Sequence, residues 1–146
     1  MNQLENSETA IKMLEEEKKI YEFLLGRMAL QEQAIDSDDE KALLEVLDEK
    51  ERALEHLSEK NQSLLQWSSE LSDAERDKME EKTRALRTEI ENTLHQLVEL
   101  EELCEKKLHS KSGRMGEKLT GLKKGKVLLK GYNTPTRIKP KISKNV

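Results

Sequence analysis

Aromatic side chains are almost missing from this chain, which has one Trp, two Tyr and one Phe in 146 residues. A broad globular core packed around rings is therefore not expected. Proline is as scarce: Pro135 and Pro140 are the only two, so nothing of that kind breaks a helix earlier in the chain. The single cysteine, Cys104, excludes an internal disulfide and fits a reducing compartment. No apolar run approaches the length of a membrane span. The opening "MNQLENSETA" has neither the basic start nor the apolar stretch of a signal peptide, and the chain reads as cytoplasmic and soluble.

What is present in quantity is charge. Charged residues make up 38% of the chain and hydrophobic ones 34%, a balance that suits long helices burying a narrow apolar seam. The same composition overlaps that of disordered chains, so periodicity has to decide. The charge is also unevenly placed. Residues 1–105 hold 13 Lys/Arg against 29 Asp/Glu, whereas residues 106–146 hold 13 Lys/Arg and one acid, Glu117. An acidic body with a basic tail points to two jobs, or to a tail that folds back on its own body.

Three helical seams follow one another. Leu14, Tyr21, Met28 and Ile35 recur at seven-residue steps, with Ala10 and Leu24 on the neighbouring row, and predict a helix over about 7–35. Gly26 is a mild weakness within it. In "DSDDEKALLEVL", Ser37 and Glu40 have capping-box spacing. The helix they open, about 38–67, carries Leu43, Leu57 and Leu64 on one row, interrupted by Lys50, and Leu47 and Leu54 on the other. Ser72 and Glu75 form a second capping box ahead of a third helix, about 73–109. Its rows are Met79, Leu86, Thr93, Leu100 and Ile90, Leu97, Cys104, widened by Leu94, Val98 and Leu108. Short connections favour antiparallel neighbours. The expected fold is all-α: an antiparallel three-helix coiled-coil bundle over residues 1–110, with a flexible basic tail over 111–146.

The tail contains Gly113, Gly116, Gly121 and Gly125, yet Met115, Leu119, Leu122 and Leu129 keep helix-compatible spacing. A short amphipathic helix within an otherwise extended or disordered segment is the expectation. Val127, Leu128, Leu129 and Tyr132 interrupt the lysines, which a segment serving only solubility does not need. An aromatic set among small and polar residues is a common way to dock into a groove.

No catalytic constellation emerges, and no cofactor is implied. His95 and Glu99 lie four apart on one helix face, a pair that charged helices produce routinely, and no metal site is assigned. Cys104 sits on an apolar row with no base near it in sequence and reads as a core thiol. The glutamates of "LEEEKK" and "MEEKTRALRTEIE" read as a solvated face with i,i+4 partners. Trp67 reads as a plug at the end of the bundle ahead of a partner contact.

The segment "IYEFLLGRMALQEQAIDSDDEKALLEVLDEKERALEHLSEKNQSLL" resembles the N-terminal half of flagellar export chaperones of the FlgN type. The order of features carries the likeness: a helix with a few leucines, a short acidic turn, then a helix with Leu44, Leu47, Lys50 and Leu54. The third helix and a C-terminal segment extend it, and the FliT chaperones are similar too. The resemblance implies a cytosolic chaperone that holds amphipathic ends of hook–filament junction proteins and delivers them to an FlhA-type export gate. It also implies a gate-docking role for Tyr132, with Leu128 and Leu129 beside it. The surplus apolar residues Leu94, Val98, Leu103 and Leu108 of the third helix are the expected client face. Two other readings stay open: a structural coiled coil or homodimer without a client, and, ranked below it, a nucleic-acid-binding protein using the basic tail.

Overall fold

The computed structural model describes residues 3–111, and all of its regular structure is helical. Helix α1 spans Gln3–Asp36 and α2 spans Glu40–Ser69. The expected third helix is two helices, α3 (Asp73–Lys82) and α4 (Arg84–His109). The expected tail over 111–146 lies outside the described residues apart from Lys111.

Helix α1 is long because the spacing of its buried residues never lapses. Ala10, Leu14, Tyr21, Leu24, Met28 and Ile35 are all buried, and Glu17 and Gln31 take the remaining places of the same four-then-three spacing. The helix ends in a Schellman arrangement: Asp38 N–H donates to the Ile35 carbonyl and Asp39 N–H to the Ala34 carbonyl. That closure puts Asp38 at φ 56, a left-handed position that costs an L-residue free energy and that Asp tolerates better than most. Asp39, not the expected Ser37, caps α2, accepting from Ala42 N–H at 3.1 Å. The Ser37 hydroxyl instead donates backwards to the Gln33 carbonyl, because α1 runs one residue further than the sequence pattern placed it. The second capping box forms as expected, with both Ser72–Glu75 bonds present.

Cross-helix ion pairs show how the helices lie. Arg27 of α1 meets Glu49 of α2, and Glu16 meets Lys60, so α2 runs back along α1. Lys18 meets Glu89 and Glu32 meets Lys107, so α4 runs forward along it. Helix α1 is the common neighbour of α2, α3 and α4. Thr83 separates α3 from α4. It is 1% exposed, its hydroxyl donates to the Met79 carbonyl, and the Arg87 guanidinium donates to the Glu80 carbonyl. A buried threonine that bonds back to the preceding turn competes with the helix's own ladder and bends it. Trp67 is half-buried against the core near the end of α2. Among the described residues, no helix is long and apolar enough to cross a membrane.

Candidate functional site

The expected client face does not survive as a unit. Leu94 and Leu108 are fully buried in the core, where they hold α4 to its neighbours. Val98 is half-buried against that core, and only Leu103, 40% exposed, faces solvent. Leu97, expected in the seam, is buried there, while Leu100 is only partly covered. Leu128, Leu129 and Tyr132 lie outside the described residues.

The apolar surface lies mainly elsewhere. Phe23 and Leu30 are each 43% exposed. They stand one heptad apart on α1, about 10 Å at the helical rise. Arg27 lies between them, its guanidinium 4.9 Å from the Phe23 ring centre and 3.4 Å from Glu49 across the groove. Leu30 opens onto a groove of about 340 Å³ between α1 and α2, with Ala34, Ala42 and Val46 as its other apolar lining. Asp39, Glu45 and Glu49 supply the acidic lining. The last described residue, Lys111, pairs with Asp38 at 2.8 Å and so sits beside the turn that closes this end of the groove.

Inside the bundle lies a polar layer. Gln31 of α1, Lys50 of α2 and Glu101 of α4 each bond to both of the others. Lys50 Nζ donates to Gln31 Oε1 at 2.6 Å, Gln31 Nε2 donates to Glu101 Oε1 at 3.0 Å, and Lys50 Nζ pairs with Glu101 Oε2. The side chains of the ion pair are 4% and 0% exposed. Burial pushes the Lys50 ammonium below the ordinary lysine value, against the pull of the Glu101 carboxylate. Cys104 flanks the layer, and burial raises its thiol to about 11. A thiol held that high is protonated at neutral pH and is not a nucleophile.

The sequence pattern recorded Lys50 as a gap in an apolar row and as one residue of the FlgN-like leucine pattern, without a partner for it, and did not single out Glu101. Glu17, taken for part of a solvated face, is fully buried. His95 and Glu99 are both exposed on α4, and no group of three or more His, Cys, Asp or Glu side chains gathers among the described residues. Comparison of the chain with protein-family models, with curated proteins and with solved structures returns no significant match.

Proposed function

We propose that this chain is a helical export chaperone of the FlgN kind, acting in the cytoplasm by binding rather than catalysis. Its third bundle strand is α3 and α4 together, bent at Thr83. It holds the amphipathic helix of an unassembled hook–filament junction subunit and releases it at an FlhA-type gate. The observation that supports a binding role is the exposed stripe of Phe23 and Leu30 beside the α1–α2 groove, with Asp39, Glu45 and Glu49 among its lining. An amphipathic helix lays its apolar face into such a groove, and acidic walls favour a helix with basic flanks.

This moves the client face from α4, where Leu94 and Leu108 are spent on the core, to α1 and α2. Docking on the gate stays with Leu128, Leu129 and Tyr132. The test is calorimetric titration of the full chain with a junction subunit, before and after Phe23→Glu with Leu30→Glu. Both side chains are already partly exposed, so the helical signal should hold while affinity falls at least about tenfold, a loss of roughly 1.4 kcal/mol. Unchanged affinity in the folded variant removes the groove from the reading. A parent chain that binds no junction subunit removes the chaperone assignment, and a parent that instead pairs with itself through this stripe returns the chain to the structural class.

A further inference from the structure

We infer that the Gln31–Lys50–Glu101 layer is a strand-selection device: it makes the apolar seam close with one each of α1, α2 and α4 and not with two like helices from two copies. The side chains that flank the layer along each helix are interchangeable between strands. One heptad either side of Lys50 stand Leu43 and Leu57; one heptad either side of Glu101 stand Leu94 and Leu108; one heptad before Gln31 stands Leu24. All five are buried leucines, and a leucine layer accepts a leucine from any strand. Turns of three residues, 37–39 and 70–72, fix the axial alignment within one copy. They do not determine whose strands fill the seam.

The polar layer determines instead which kinds of helix can share the seam. Its ring of bonds needs one amide, one ammonium and one carboxylate, and these come from three different helices. Both oxygens of Glu101 and both ends of the Gln31 amide are engaged, each by a side chain of another helix. Two copies of α2 meeting in parallel and in register bring Lys50 against Lys50. Two copies of α4 bring Glu101 against Glu101. Each pairing buries like charges in a dry layer, which is strongly unfavourable. Such a layer gains little stability over apolar packing of the same volume, and polar residues at single seam positions are known to set which strands associate.

The test is the triple variant Gln31→Leu/Lys50→Leu/Glu101→Leu in the full chain, compared with the parent by sedimentation velocity over a hundredfold range of concentration. The parent should sediment as one species throughout. The variant should melt at the same temperature as the parent or higher, yet populate larger species whose share grows with concentration. A variant that keeps the parent's single species overturns the inference, because the remaining seam then selects its strands unaided. A variant that loses its helical signal also overturns it, because the layer is then a source of stability instead of selectivity. A parent that itself changes size with concentration overturns it directly.

Discussion

Replacing Lys50 by Met keeps most of the side chain's volume and removes its charge from a position 3% exposed to solvent. Glu101 then stays behind, fully buried, having lost the ammonium and keeping only the Gln31 amide. Breaking a buried pair by removing one partner costs about 3–5 kcal/mol, because the remaining charge is uncompensated. Whole-domain stabilities run at about 5–15 kcal/mol, so the variant should lose about a fifth of its stability or more. Urea unfolding followed by far-ultraviolet circular dichroism measures this. With a slope of about 2 kcal/mol per molar, the midpoint should fall by about 2 M. Adding both Glu101→Leu and Gln31→Leu to Lys50→Met should recover most of the loss, since the layer is then apolar. A single variant that loses under about 1 kcal/mol would refute the reasoning, because that is the size expected of a pair bathed in water.

Three further outcomes follow from the geometry and a fourth from the proposed function. Cys104, with its thiol raised to about 11 by burial, should react with iodoacetamide at pH 8 at least about a hundredfold more slowly in the native chain than in urea, as mass spectrometry of the adduct would show. Asp38→Gly relieves the left-handed residue at φ 56 and loses only an exposed pair with Lys111, so it should stabilise the bundle by roughly 0.5–1 kcal/mol in urea unfolding. Leu94→Ala should cost about 2–5 kcal/mol and Leu103→Ala under about 1 kcal/mol, the reverse of what two residues of one open client face would give. Tyr132→Ala should weaken pull-down by the cytoplasmic part of an FlhA-type gate while leaving client binding and helix content unchanged.

The first two helices were legible because their apolar rows keep one period, on α2 across the gap at Lys50. Leu14, Tyr21, Met28 and Ile35 are all buried, as are Leu43, Leu57 and Leu64. Helix ends were legible only where a side chain acts within its own turn. Ser72 and Glu75 satisfy each other's neighbours locally, and their spacing alone announced it. Ser37 and Glu40 have the same spacing, but α1 closes with bonds from Asp38 and Asp39, and that closure displaces the cap to Asp39. The choice between two caps depends on how far the preceding helix runs, which capping spacing alone does not record.

The third seam misled for a physical reason that also explains the missed site. A fixed seven-residue step from Met79 leads to Leu86, Thr93 and Leu100. The residues that are buried continue instead through Thr83, Ile90, Leu94, Leu97, Glu101, Cys104 and Leu108. Between Thr83 and Leu94, with Leu86 partly covered between them, the spacing runs three, four, four, so the seam advances eleven residues in three turns. That is a stutter: Ile90, Leu97 and Cys104 keep their expected row, while the companion row moves by one residue, from Thr93 and Leu100 to Leu94 and Glu101. Under the strict heptad Leu94 and Leu108 look surplus and Glu101 looks like one more surface acid. With the stutter they move to the centre, and Glu101 comes level with Lys50, whose place on α2 no row had explained. A charged residue at a seam position is thus a statement about a partner on another helix. It can be read only once the phase of that other helix is known, and here Thr83, a bend in the middle of the chain's third seam, sets the phase.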